Sequence, residues 1–202
     1  MTLTELQAEV YKLTNRPDLI SQTLAAIRAA TLKAHRIDFF YKDLFETGLT
    51  FTPGDYIQQV DYKTLYPRFR ALSYLRKFDP TVLPAPGLAG KFFTVVTPTN
   101  VLDSYELTKE DVCYIAGIYL QIRSSTILTN ALIGFYQDPL VGSTDGTFTS
   151  WVAVDHPWAI IFEACRAVSK MIGKDSAANG FQSQVGDEYA LLKTMNILAE
   201  GY

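Results

Sequence analysis

Cysteine and histidine are scarce in this chain, with two of each among 202 residues. Cys113 and Cys165 sit in apolar surroundings and form no C-x-x-C pair, so they are expected to be small buried hydrophobes, and a disulfide is disfavoured in a reducing compartment. His35 and His156 fall in no metal-ligand spacing with Cys, Asp or each other, which excludes a recognisable metal motif. Asp155-His156 resembles part of a proton-transfer pair, but no G-x-S-x-G or comparable nucleophile motif accompanies it, and Asp155 serves better as a helix cap. The stretches "GLAGK" and "MIGKDS" contain Gly-Lys without the first glycine of a phosphate loop or a Ser/Thr after the lysine. No catalytic residue, metal or cofactor is expected.

Charge is sparse as well, at 19% of residues with a net charge of −3. The first 80 residues hold 11 Lys and Arg against 9 Asp and Glu, so neither part of the chain is charged enough to imply binding to nucleic acid or membrane. The start, "MTLTELQAEV", lacks a basic region followed by an apolar run, so no secretory signal is expected and synthesis in a cytosol is the default. From Val112 to Gln137 the one charge is Arg123, yet Gln121, Ser124, Ser125, Thr126, Thr129 and Asn130 interrupt the run, which falls short of the roughly 20 predominantly apolar residues of a spanning helix. There is no heptad or other internal repeat.

The 48% of apolar residues, 13% of the chain being aromatic, is enough for one well-buried core. The spacing Thr2-x-x-Glu5 followed by Leu3, Leu6, Val10 and Leu13 predicts a short first helix with a capping box. Asn15, Pro17 and Asp18 then suit the start of a second helix with a buried stripe of Ile20, Leu24, Ile27, Thr31 and Ala34, and Lys33, His35 and Arg36 suit its negative end. Together these make an α-hairpin ending near residue 36 or 37. From Leu49 the pattern is that of strands and loops: a turn at Pro53-Gly54, strands in "YIQQVDY", "YPRFRALSYLRKF", "KFFTVVT" and "DVCYIAGIYLQI", a proline-rich loop "DPTVLPAPG", and a hairpin turned at Asp145-Gly146. Helices return after that, one capped by Asp155 with Pro157 in its first turn and stopped by Gly173, and a last one capped by Ser176. The expected plan is one α+β domain: residues 1–48 a helical hairpin with its exit, 49–153 a β region, and 154–202 C-terminal helices packed with the hairpin.

Two stretches stand out as surfaces. In "HRIDFFYKDLF" the rings of Phe39, Phe40 and Tyr41 are consecutive, and because successive positions turn by ~100° in a helix or ~180° in a strand, they cannot share one core face. One or two are expected to close the joint between hairpin and sheet, and at least one to meet a neighbouring subunit. Between 63 and 77, Lys63, Arg68, Arg70, Arg76 and Lys77 interleave with Tyr62, Tyr66, Phe69 and Tyr74, and Phe78 follows. Such a strand is either a solvated or subunit-facing element or a nucleic-acid-binding face, and simple alternation would put Arg68, Arg70 and Arg76 on one side and Lys77 on the other.

Three patches carry a resemblance to a known family: "TLTELQAEVYKLTNRPDLISQTLAAIRAATLKAHRIDFFYKDL", "DVCYIAGIYLQIRSS" and "SWVAVDHPWAIIFEACRAVSKMIG", with Asn15-Arg16-Pro17-Asp18 and Arg123-Ser124-Ser125 as polar markers. They resemble the N-terminal helical pair, a core strand with its turn, and the penultimate helix of the head-to-tail adaptor proteins of tailed bacteriophages, particularly short-tailed ones. The resemblance implies a non-enzymatic ring of twelve copies at the head-tail junction of the virion, docked under the portal protein, carrying tail or nozzle proteins, and enclosing a channel through which DNA passes without sequence-specific binding. On that expectation the candidate subunit or portal contacts are Phe39, Phe40, Tyr41, Arg68, Arg70, Arg123 and Tyr202. The chain departs from adaptors with a long C-terminal tail, since its last helix runs almost at once into Gly201-Tyr202.

Overall fold

The computed structural model describes residues 1–52, 55–77, 90–102 and 107–200, the last four as backbone alone. In chain order the elements are α1 (Leu3–Thr14), α2 (Ile20–Arg36), β1 (Leu44–Thr50), β2 (Ile57–Asp61), α3 (Tyr62–Leu65), β3 (Phe69–Lys77), β4 (Thr94–Val95), β5 (Val112–Ala116), β6 (Tyr119–Arg123), β7 (Asn130–Gln137), β8 (Leu140–Val141), β9 (Phe148–Thr149), α4 (Trp151–Asp155), α5 (Pro157–Met171) and α6 (Asp175–Glu200). The architecture is α+β, with N-terminal and C-terminal helices sharing a core and strands between them in sequence. The residues group into two compact units, Met1–Asp43 with the chain from Asp138 onward, and Leu44–Gln137. Pro53-Gly54, "DPTVLPAPG", Phe78, most of "GLAGK" and Tyr202 lie outside the described residues.

In the helical unit the capping box at the start of α1 is complete, with Thr2 Oγ1 accepting the Glu5 N–H and the Glu5 carboxylate accepting the Thr2 N–H. Leu6 and Val10 of α1, Ile27 of α2 and Ile160, Ile161 and Val168 of α5 are fully buried in one cluster, each contributing about 1.5–3 kcal/mol. Asn15 does not begin α2. It adopts the left-handed conformation, φ 52°, that ends α1, while Arg16 and Asp18 pair with each other in the turn and α2 starts at Ile20 without a side-chain cap. The buried face of α2 is accordingly Thr23, Ala26, Ile27, Ala30, Thr31, Ala34 and His35, with Ile20 exposed. Small side chains at 26, 30 and 34 let α2 lie close against α5.

Asp155 is not a cap either: it is the last residue of α4, whose cap is Ser150, and α5 follows with Pro157 first and no side-chain cap. Gly173 does stop α5, at φ 72°, where L side chains are strained. Ser176 falls inside the first turn of α6. The Asp145-Gly146 turn joins the short strands β8 and β9, which belong to this helical unit and not to the main sheets.

The second unit begins at Leu44, five residues before the expected start of the strands. A three-stranded antiparallel sheet, β1-β7-β3, and a four-stranded sheet, β2-β6-β5-β4, bury their facing sides in one cluster that includes Leu75, Leu120, Ile122, Ile133 and Phe135. Gly117 at φ 64° opens the two-residue turn between β5 and β6, the position where a II′ hairpin turn takes glycine. Strand β3 is not simply alternating. Register shifts between Phe69 and Ala71 and between Leu72 and Tyr74 insert extra residues, so Phe69, Leu72 and Leu75 all pack on the core.

Candidate interaction surfaces

Beyond Ile37, which closes α2, the aromatic triplet runs into a short 3-10 turn at Tyr41–Asp43. Phe40 is 1% exposed and meets Trp151 edge-on at 5.1 Å, inside the core of the helical unit. Phe39 and Tyr41 are 51% and 48% exposed. Asn196, buried on α6, fixes this in-and-out arrangement: its Oδ1 accepts the Tyr41 N–H and its Nδ2 donates to the Phe39 carbonyl, both at 3.2 Å. Next to it Tyr41, Trp151, His156, Leu192 and Met195 enclose a recess of about 40 Å³, room for one water or a methyl group. Asp155 points its carboxylate at Lys42 Nζ, 2.7 Å away, and Lys42 lies over the Trp151 ring.

Beneath the triplet lies a network that the sequence did not signal. His35 Nδ1 is 2.8 Å from Asp43 Oδ1, His35 Nε2 is 2.8 Å from Ser150 Oγ, and Trp151 Nε1 donates to Asp43 Oδ1 at 2.7 Å. The connectivity is that of a Ser-His-Asp triad, but the surroundings are those of a structural knot. Ser150 is 6% exposed, and its Oγ already accepts the Ala153 N–H as the cap of α4. His35 and Asp43 are buried too. The three side chains join the end of α2, the 3-10 turn and the start of α4. His35 thus lies in the last turn of α2 as expected, but as a buried, bridging core residue.

In the sheet unit the cations from 63 to 77 are mostly engaged. Arg68 donates to Gln137 Oε1, the Arg70 guanidinium stands 5.8 Å from the centre of the Tyr136 ring, and Arg76 is 3.9 Å from Glu46. Lys77 bonds Asp111 at 2.7 Å. Among the rings, Tyr62, Tyr66 and Phe69 are taken up by the core, and the Tyr74 ring covers Gly134, where a Cβ would overlap it. Tyr74 donates its hydroxyl to Glu46; burial first, and then that bond, push its pKa up to about 12. Asp111, itself left-handed at φ 53°, is buried, which alone would raise its pKa. Hydrogen bonds from Lys77, Lys91 and Ser125 outweigh burial and hold the carboxyl well below its usual range.

Arg123 lies on the face of the four-stranded sheet away from the core cluster, opposite the exposed Ile57 on one side and the buried Val112 on the other, and its Nε is itself buried, with no hydrogen-bond partner among the described residues. The described candidates belong to different parts of the fold: 39–41 to the helical unit, Arg68 and Arg70 to β3 or its approach, and Arg123 to the other sheet of the second unit. Exposed apolar side chains the sequence did not single out stand beside them. Met195 adjoins Tyr41 in the helical unit, and in the second sheet Tyr56 and Ile57 stand at one end of the β2-β6 pair and Ile118 and Tyr119 at the other. No helix among the described residues is long and apolar enough to cross a membrane. Compared with known proteins, the chain matches no family model and no curated protein.

Proposed function

We propose that this chain is the subunit of a head-to-tail adaptor ring of a short-tailed bacteriophage, a structural protein of the virion that docks under the portal, carries the tail machinery and surrounds the DNA channel. The reading rests on the three sequence patches that resemble such adaptors, and it is supported by one structural observation. The chain exposes large apolar side chains in each unit, Phe39, Tyr41 and Met195 in the helical unit, and in the sheet unit Ile57 at one end of the β2-β6 pair with Ile118 and Tyr119 at the other. Ring subunits need two unlike faces, because each copy offers one patch to a different patch on the next. Large exposed apolar side chains in patches of this kind mark surfaces that a partner covers.

In this proposal twelve copies assemble on the portal, no cofactor is required, and DNA passes without being read. Assembly is templated, so the free chain is at most weakly associated. Light scattering on the protein with and without purified portal protein tests it: a complex carrying about one adaptor chain per portal chain is expected, and no change in mass on mixing would refute the docking.

A further inference from the structure

Among the described residues strand β1 is an outer strand, bonded to β7 on one side only. Phe51 donates its N–H to the Thr129 carbonyl, and the register runs unbroken from Leu44↔Tyr136 to Thr50↔Asn130. Bonding direction alternates along an antiparallel ladder, so Phe45, Thr47 and Leu49 turn their main-chain groups toward β7. Leu44, Glu46, Gly48 and Thr50 turn theirs to the open edge. Natural sheets blunt such edges with lysine, proline, bulges or a covering segment. β3, on the opposite side of the sheet, has two bulges and is partly covered by residues 91–93. β1, "LFETGLT", has no lysine, proline or bulge, and its Phe45 is 42% exposed.

We propose that this edge pairs antiparallel with β1 of a second copy, about a two-fold axis through Thr47, to make one continuous sheet across two chains. The strand is complementary to itself in one register. Open-edge residues must face open-edge residues, which leaves registers centred on a whole residue. Centring on Glu46 sets two carboxylates opposite each other, which is destabilising, and centring on Gly48 shortens the overlap. Centring on Thr47 uses the whole strand, places Phe45 opposite Leu49 on the core face and Thr47 opposite its own copy, and sets each Glu46 against a Gly48. A Cβ on Gly48 would meet nothing within 4 Å, so the space that the glutamate needs is open. Such a contact is isologous and cannot be the head-to-tail contact of a ring. It gives the unassembled chain a paired form, and as one strand pair buries well under the ~1,200 Å² of a stable interface, that form belongs to concentrated protein.

The test is a cross-link set by the register. Thr47→Cys brings two thiols into a non-hydrogen-bonded pair with Cα atoms about 4.5 Å apart, within disulfide reach, while Cys113 and Cys165 are fully buried. Mild oxidation should give a covalent dimer about tenfold faster than for Ile118→Cys, an exposed control, and adding Gly48→Pro, which removes an open-edge donor but no bond to β7, should abolish the difference. In the protein without substitutions, amide exchange at Leu44, Glu46, Gly48 and Thr50 should slow as concentration rises. Equal cross-linking of the two cysteine variants, or exchange at these amides independent of concentration, would overturn the proposal. So would a Gly48→Pro variant that loses ring formation on portal while the parent protein stays monomeric, since a different strand would then occupy the edge.

Discussion

Phe39, Phe40 and Tyr41 are adjacent but divide between two environments, and substitutions should separate them. Phe40→Ala removes a fully buried ring from the helical core and should cost about 3–5 kcal/mol of folding stability. Phe39→Ala and Tyr41→Ala should leave the melting temperature near that of the parent and instead weaken assembly on portal. Comparable destabilisation by all three would make the triplet a core feature only. That the rings must divide was legible from their spacing. Which one goes inward was not, because Phe40 is chosen by Trp151, 111 residues further on, and no local pattern carries that information. For the same reason Ser150 and Asp43 escaped notice as partners of His35. Ser150→Ala should cost about 1 kcal/mol for the cap and about 1 kcal/mol more for the lost hydrogen bond to the buried imidazole. Asp155→Asn, by contrast, loses only a partly exposed ion pair and should cost ~1 kcal/mol or less. Urea melts of the two variants side by side would show whether the knot or the Asp155 pair carries the stability.

At the level of elements, two carboxylates fasten secondary structure together. Glu163 on α5 accepts hydrogen bonds from Lys33 of α2 at 2.7 Å and from Arg166, and these more than offset a burial that alone would raise its pKa, leaving it lowered. Asp111 does the same among β3, Lys91 and the turn after β6. Since both are held below their unfolded values, the stability they supply is complete above the ordinary carboxylate range near ~4 and is lost as pH falls through that range toward the folded values. Thermal melts between neutral pH and pH ~3 should therefore show a steep acid loss, and Asp111→Asn should flatten it while lowering stability at neutral pH by about 3 kcal/mol. An unchanged acid slope in that variant would remove Asp111 as a fastener. Helix α5 was readable from its apolar spacing and from Pro157 and Gly173 at its ends. β3 was only half readable, because its two bulges replace the period of two with core contacts at 69, 72 and 75. The start of α2 was misplaced because Asn15-Arg16-Pro17-Asp18 offers residues suited equally to ending one helix and beginning the next, and the left-handed backbone of Asn15 decides between them.

For the whole molecule, the order helices, strands, helices follows from sequence periodicity alone, since amphipathic stretches at both ends need each other to bury their apolar faces. The division at Leu44 does not, because the strand pattern of "LFETGLT" continues directly from the 3-10 turn without a glycine or proline at the junction to mark the change. Nor does the function follow from the fold, which hosts many roles; it depends on whether the exposed apolar side chains of the two units meet other copies of this chain. Direct images decide that. Electron micrographs of purified portal mixed with this protein should show an added ring of density at one end of the portal, with the portal's rotational symmetry and an open central channel. Portal particles identical with and without the protein, under conditions where both are folded, would contradict the proposal.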